Sequence, residues 1–213
     1  MSETTRRPSP RPSNPPRRRL RIHGAEFIGS GARWSPQVLC EVAESLGAEP
    51  AALQALVEVE TRGRGFDVRK RLRALYEGHV FNARTGGRWL LPEHARYVWR
   101  RLDFSMYGAT PDAIYRQIDS AAKLDRDAAL RAASWGLPQI MGFNHALAGY
   151  ASPAEMIEDF KTGGDAQLRA LGRFLIAAEI DRPLRMGDVE ELARRFNGSA
   201  HARTGWAKRY RRA

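Results

Sequence analysis

The sequence has little of what several kinds of functional site need. It contains a single cysteine, Cys40, so it can form neither an internal disulfide nor a zinc site built from several thiolates. Cys40 lies within the periodic apolar pattern of a predicted helix, and we expect it to be an inert core residue. The five histidines show no metal-ligand spacing, and there is no phosphate-binding glycine loop and no nucleophilic-serine motif. We therefore expect neither a metal nor a cofactor.

Long apolar runs are missing as well. No stretch approaches the roughly 20 apolar residues that cross a bilayer. The basic N-terminus carries no apolar segment of the kind found in signal peptides. If the protein acts outside the cytoplasm, we expect another component to release it.

Acidic residues are scarce relative to basic ones. Lys and Arg number 35 against 24 Asp and Glu, which gives a net charge of +11. Such a balance predicts an anionic partner: a nucleic acid, a membrane surface or an acidic polymer. Residues 1–22 are rich in Pro, Arg and Ser, and we expect a disordered cationic tail that either solubilises the protein or attracts a polyanion. Residues 23–213 are predicted to form one domain.

Helix signals dominate this domain. Ser35 is the expected cap of a helix that starts at Pro36 and stops at Gly47, and Pro50 starts a second helix that runs to a glycine-rich break. Further helices are predicted over the segments PEHARYVWRRL, PDAIYRQIDSAAKL, DRDAALRAASWG, SPAEMIEDFKTG, DAQLRALGRFLIAAEI and GDVEELARRFNG. Residues 66–91 instead carry β-formers around the turn signal ARTGG, which favours a short hairpin or an irregular lobe after the second helix. The predicted fold is mainly α.

Two carboxylates stand close together at the end of the second helix, in the segment LVEVETRGRGF. With 100° per residue and Leu53 set at 0°, Glu60 lies at about −20° on the apolar stripe, and Glu58 at about 140° on the opposite side. Glu58 is therefore the expected surface acid. Glu60 is either part of a buried ion pair or a general acid whose pKa is raised by burial.

Three segments in chain order resemble the N-acetylmuramidase family of bacteriophage endolysins, a branch of the lysozyme-like superfamily. They are VETRGRGF, which contains Glu60, SWGLPQIMGFNHALAGY at residues 134–150, and RRFNG at residues 194–198. The resemblance implies a lysozyme-like fold with a small β-hairpin lobe after the helix that carries the catalytic glutamate. It covers nearly everything outside the tail.

The resemblance also implies roles for residues near the second helix. Glu60 occupies the place of the catalytic acid, and Thr61 stands where the family has a serine, so the hydroxyl is kept for substrate binding. The segment YEGHVF resembles the family stretch after the glycine break and supplies Glu77 as a candidate second catalytic carboxylate. His79 is a candidate substrate ligand there. Gly78 replaces the family's arginine, which changes the surroundings expected for Glu77.

The other two segments supply further candidate substrate ligands. Gln139 matches a residue that lines the sugar cleft of lysozyme-like enzymes, and Asn144 lies at the end of the same motif. In RRFNG, Phe196 replaces the usual tyrosine, so no hydroxyl is available there to hydrogen-bond the catalytic acid. Asn197 retains an amide that can contact the substrate.

The implied activity is hydrolysis of peptidoglycan between N-acetylmuramic acid and N-acetylglucosamine, with Glu60 protonating the glycosidic oxygen. The alternatives are a lytic transglycosylase, which needs a single such glutamate and leaves anhydro products, and a non-catalytic cell-wall-binding module. We expect peptidoglycan glycan strands as the partner, no specific nucleic acid, and a monomer. The Arg-rich ends are expected to attract anionic wall or outer-membrane polymers. Synthesis is expected in the host cytoplasm, followed by release to the periplasm or cell wall.

Overall fold

Proline and a preceding polar residue mark the beginning of several helices, as the sequence predicts. A computed structural model of the chain describes residues 23–197 and 205–213, with Asn197 described by its backbone alone. Ser35 Oγ accepts a hydrogen bond from the backbone N–H of Val38 at 3.3 Å, and the helix ends at Gly47 in the left-handed region. The predicted start and stop of this helix are confirmed. The expected tail lies outside the described residues.

The helices of the described chain surround a small sheet. They are α1 (Pro36–Leu46), α2 (Pro50–Thr61), α3 (Gly78–Arg84), α4 (Pro111–Ala122), α5 (Arg126–Arg131), α6 (Pro153–Thr162), α7 (Gly164–Ala177), α8 (Asp181–Arg185), α9 (Val189–Asn197) and α10 (Trp206–Tyr210). Short 3-10 turns lie at Ala25–Phe27, Pro92–His94, Phe104–Met106 and Gly142–Asn144. No helix among the described residues is both long enough and apolar enough to cross a membrane.

The sheet is antiparallel, in the order β1 (Ala74–Tyr76), β2 (Ala133–Trp135), β3 (Ile140–Met141). Leu75 pairs with Ser134, and Trp135 pairs with Ile140. The tight hairpin is therefore formed by β2 and β3, within the segment ASWGLPQIM. Only β1 comes directly after the glycine break, and its partner strand is far away along the chain.

Of the two alternatives predicted for residues 66–91, a short hairpin or an irregular lobe, the hairpin around ARTGG was wrong. Residues 78–84 are helical, because Phe81 enters the core on one helical face and Thr85 bonds back to the Phe81 carbonyl at the helix end. The helix predicted over DRDAALRAASWG is capped by Asp125 and ends at Arg131, so that the chain can enter β2. The helix predicted over PEHARYVWRRL is reduced to the turn at Pro92–His94.

The largest helix–helix contact joins α1 to α7. The predicted apolar face of α1 is buried in full; it comprises Val38, Leu39, Val42, Ala43 and Leu46. Gly172 of α7 allows close approach, because a Cβ at that position would lie 2.8 Å from Cγ1 of Val42. The expectation that Cys40 is buried was wrong: Cys40 is exposed, since it lies about 200° round the helix from Val38.

Candidate active site

A groove runs between the C-terminal end of α2, the strand β1 and the N-terminal end of α4. Its volume is about 370 Å³. Glu60 and Thr61 contribute the α2 side, and Gln139 extends from the loop of the hairpin. The remaining lining residues come from the chain leading into β1 and from α4; they are Asp67, Val68, Leu72, Arg73, Ala74, Leu75, Pro111, Ile114 and Tyr115. Three of the residues expected from the sequence, Glu60, Thr61 and Gln139, are therefore brought together.

Glu60 has the environment of a carboxyl group that holds its proton. The side chain lies on the last turn of α2 and is largely withdrawn from solvent. Burial raises the pKa of Glu60, while a hydrogen bond from Trp206 and the positive charge of Arg209 act in the opposite direction. The indole Nε1–H of Trp206 donates to Oε1 of Glu60 at 2.6 Å. The net direction is upward, as a general acid requires.

The indole of Trp206 is held in place by aromatic stacking. Its ring lies parallel to Tyr210, with 5.2 Å between centroids, and is stacked on Phe196 at 6.2 Å. The hydroxyl of Tyr210 donates to the backbone carbonyl of Ala52 and so joins α10 to α2. Phe196 therefore contributes a supporting ring beneath Trp206. The hydrogen bond that a tyrosine hydroxyl would give Glu60 comes from the indole instead.

A second cavity, of about 430 Å³, lies on the other side of Glu60. It shares Glu60, Thr61 and Arg73 with the groove and is otherwise lined by Glu58, Val59, Arg62, Arg209, Arg212 and Ala213. Glu58, expected from the sequence to be a surface acid, is partly exposed and also lines this cavity. The reason is that Arg62 takes a left-handed conformation (φ 55°), and the chain then turns back past Glu58. A Cβ on Gly63 would lie 2.7 Å from Oε1 of Glu58.

The hairpin loop beside the groove is fixed by buried hydrogen bonds. The Thr61 hydroxyl donates to the Leu137 carbonyl at 3.0 Å, which joins α2 to this loop. The Gln139 amide is held from both ends: Oε1 accepts from Ser134 Oγ at 3.0 Å, and Nε2 donates to the Gly136 carbonyl at 2.8 Å. Thr61 and Gln139 thus line the groove while bonding to the protein itself.

Gln167, on α7, anchors the same loop from below and is fully buried. Its Oε1 accepts from the backbone N–H of Leu137 at 2.6 Å, and its Nε2 donates to the Phe160 carbonyl at 2.8 Å. Gly65 and Gly136 both pack against this amide so closely that a Cβ on either would lie under 3.0 Å from Oε1. A glycine is therefore needed both in the break after α2 and in the SWG motif, because both positions pack against the Gln167 amide.

Asp67 lines the groove, and both of its carboxylate oxygens accept hydrogen bonds from neighbouring arginine residues. Its Oδ2 accepts from Arg71 Nε at 2.8 Å and lies 2.7 Å from Arg71 Nη2. Its Oδ1 accepts from the backbone N–H groups of Arg69 and Arg71. The buried Arg71 guanidinium also bonds Asp112 at 2.7 Å, at the start of α4. These bonds hold the far wall of the groove.

The other residues expected from the sequence lie elsewhere. Glu77, at the start of α3, has its Oε2 3.3 Å from His79 Nε2. Burial raises the pKa of Glu77 and lowers the pKa of His79. Neither residue is among those that line the groove. Asn144 ends the 3-10 turn after β3, also outside the groove lining, and the side chain of Asn197 is outside the described part of the chain.

Sequence reasoning missed the cationic surroundings of Glu60. Arg73 lines both cavities, and Arg209 lies close enough to Glu60 to affect its pKa. Trp206 begins α10, within the Arg-rich C-terminal end of the sequence. The signal available in the sequence was the helical pairing of Trp206 with Tyr210 four residues later.

Comparison with known proteins gives three results. The family model for N-acetylmuramidase matches residues 49–213. The crystal structure of the endolysin from Burkholderia AP3 phage is similar, with a TM-score of 0.76 and 28% identity over 88% of this chain and 71% of that chain. None of the curated proteins matches. The mainly helical, lysozyme-like fold expected from the sequence is confirmed. The chain belongs to the N-acetylmuramidase family, and it is a glycoside hydrolase of peptidoglycan.

Proposed function

We propose that this protein acts as an endolysin that cuts the β-1,4 bond between N-acetylmuramic acid and N-acetylglucosamine, with Glu60 as the general acid. The observation that carries the assignment is the position of Glu60: it lines a groove, burial raises its pKa, and a buried indole fixes one of its oxygens. The similar phage endolysin supports the lytic role.

The hydrogen bond from Trp206 identifies the reacting oxygen. An indole N–H only donates, so Oε1 of Glu60 acts as the acceptor. The acidic proton of Glu60 then resides on Oε2, and Oε2 donates it to the glycosidic oxygen as the C1–O bond breaks and positive charge develops at the sugar ring. Water completes the hydrolysis by adding at C1 and losing a proton.

The reaction normally involves a second carboxyl group besides the general acid. Glycosidases use a pair of carboxyl groups whose separation sets inverting or retaining stereochemistry. Within the described lining of the groove, Asp67 is bound to Arg71 through both carboxylate oxygens and neighbouring backbone groups. Glu77 remains the family-based candidate, and its nearest charged partner is His79.

Product analysis tests this proposal. Purified peptidoglycan is digested with the wild-type protein and with Glu60→Gln, and the muropeptides are analysed by mass spectrometry. We expect hydrated reducing ends from the wild type and release about 10²–10⁴ times slower from the variant. Anhydro ends would identify a lytic transglycosylase, which also needs a single glutamate. Undiminished release by Glu60→Gln would refute the assignment of the acid, and binding without any release by the wild type would identify a wall-binding module.

The cellular setting belongs to the same proposal. The protein is made in the host cytoplasm and reaches peptidoglycan after release, where it acts as a monomer. The Arg-rich ends increase attraction to anionic wall or outer-membrane polymers, which salt screens. Deletion of residues 1–22 is expected to slow wall clearing at low salt and to have less effect at high salt. An unchanged rate at low salt would contradict this role of the tail.

A further inference from the structure

The second cavity beside Glu60 has a concentration of positive charge. Four arginines line it together with two glutamates, and burial keeps Glu60 inclined to the neutral form. The four are Arg62, Arg73, Arg209 and Arg212. They come from three separate parts of the chain: the end of α2, the approach to β1 and the segment of α10. Their convergence is therefore a product of the tertiary fold.

Three of these arginines lack internal partners. Arg62, Arg73 and Arg212 make no ion pair and no side-chain hydrogen bond with any residue of 23–197 or 205–213. Elsewhere on the molecule arginines are commonly paired with carboxylates, as in the pairs of Arg71, Arg126, Arg131, Arg169, Arg194, Arg195 and Arg211. Exposed arginines elsewhere, such as Arg182, also lack an ion pair in the described chain, so what distinguishes Arg62, Arg73 and Arg212 is that they line one cavity beside Glu60.

Arg73 is the partly buried arginine of this cavity, whereas Arg62, Arg209 and Arg212 are exposed. The Nε of Arg73 is buried without a hydrogen-bond acceptor among the described residues. Its pKa is lowered by burial and by the charges of Arg64 and Arg62. A buried donor without an acceptor costs free energy, and native proteins rarely leave one unless a ligand or water supplies the acceptor. An anion in this cavity would both accept from Arg73 and reduce the repulsion among the arginines.

The chemistry of the substrate identifies which anion arrives with the sugar. In peptidoglycan, the lactyl ether of N-acetylmuramic acid carries a short peptide with free carboxylates. The cationic cavity shares Glu60, Thr61 and Arg73 with the groove, so a group held there lies next to the bond that Glu60 protonates. Guanidinium groups match carboxylates through paired N–H donors.

We propose that the cavity lined by Arg62, Arg73, Arg209 and Arg212 is a subsite for the carboxylates of the peptide stem on the glycan strand. This inference rests on the proposed function for the identity of the strand. It predicts that the enzyme distinguishes peptide-bearing glycan from the same glycan after an amidase has hydrolysed the lactyl–peptide amide, which leaves the lactyl carboxylate on the sugar and removes the carboxylates of the stem.

The variants are Arg212→Gln, Arg62→Gln and the double variant. Both side chains are exposed and bond to no described residue, so their replacement leaves the core intact. Arg182→Gln is the matched control, because Arg182 is an exposed arginine of α8 without an ion pair in the described chain, and it lines neither of these cavities. It removes the same charge from a different surface.

The kinetic measurement is kcat/KM on both substrates. We expect each single variant to lose about fivefold on peptide-bearing glycan, the effect of one exposed charged contact, and to match the wild type on stripped glycan. Equal losses on both substrates, or an equal loss in Arg182→Gln, would overturn the subsite.

A binding measurement separates this inference from the catalytic proposal. In the Glu60→Gln background, the dissociation constants for peptide-bearing and stripped glycan are compared with and without Arg212→Gln. We expect Arg212→Gln to weaken binding of the peptide-bearing strand alone. Failure of the wild type to cut either substrate would overturn the catalytic proposal, while this binding difference would still support the subsite. Identical binding of the two strands would overturn the subsite even if cutting proceeds.

Discussion

Replacing Trp206 with phenylalanine tests how the acid is controlled. The change removes the indole N–H that donates to Oε1 of Glu60 at 2.6 Å but keeps an aromatic ring to stack on Tyr210 and Phe196. Because this bond favours the ionised carboxyl, its loss raises the pKa of Glu60 further. The alkaline limb of the kcat/KM profile is therefore expected to move to higher pH.

The magnitude follows from the kind of hydrogen bond. A bond to a charged acceptor contributes about 1.5–3 kcal/mol, and a bond to a neutral acceptor about 0.5–1.5 kcal/mol. The native pKa of Glu60 lies above the ordinary value of 4.5, so the stability linked to this group is present below pH 4.5 and is lost as the pH rises through the native pKa. We expect Trp206→Phe to reduce the free energy of unfolding by the smaller amount at low pH and by the larger amount at high pH.

Tyr210→Phe is the matched control for this experiment. It removes a neutral hydrogen bond between α10 and the Ala52 carbonyl, at 2.9 Å, without touching Glu60. Its stability loss should be about 0.5–1.5 kcal/mol at every pH below the titration of tyrosine, with no displacement of the rate profile. Urea unfolding and kcat/KM are measured from pH 4 to about pH 8. A Trp206→Phe profile that coincides with the wild type, or moves to lower pH, would refute the account of Glu60.

Three further predictions concern other side chains. Glu60→Gln is expected to lower kcat/KM by about 10²–10⁴, the usual contribution of a general acid. Glu58→Gln makes the same carboxyl-to-amide change two residues away and should stay within about tenfold of the wild type; similar losses in both would contradict proton donation by Glu60. Glu77→Gln is expected to keep kcat within about tenfold of the wild type, since Glu77 contacts His79 and does not line the groove. A loss of kcat as large as that of Glu60→Gln would assign Glu77 the role of second carboxylate. Gln167→Leu leaves the buried N–H of Leu137 and the buried carbonyl of Phe160 without partners, so urea unfolding should show that the free energy of unfolding falls by about 2–5 kcal/mol. A fall below about 1 kcal/mol would contradict the role of Gln167 as an anchor of the loop.

Local patterns in the sequence predicted the parts of the molecule that are determined locally. The cap at Ser35 is a side-chain to backbone bond within one helical turn, so residue type and spacing are enough to place it. The angular position of Glu60 on α2 followed from the helical repeat. The motif segments indicated the family, which the comparison confirmed.

The errors arose where the partner of a segment is distant along the chain. Strand β1 pairs with β2 about 60 residues later, and short apolar segments such as that of α3 fit a helix or a strand equally well by pattern. The orientation of Glu58 depended on the turn at Arg62, which no helical wheel describes.

The sequence by itself therefore determined a mainly helical fold and the place of Glu60 on the apolar stripe of α2, because helical periodicity and caps are short-range properties, and its motif segments indicated the N-acetylmuramidase family. Only the tertiary structure decided what surrounds that acid. It brings Trp206 from the last helix to Oε1 of Glu60, and it gathers Arg62, Arg73 and Arg212 around one cavity. The physical reason is that burial, hydrogen bonding and charge act over a few ångströms in space, whatever the separation along the chain.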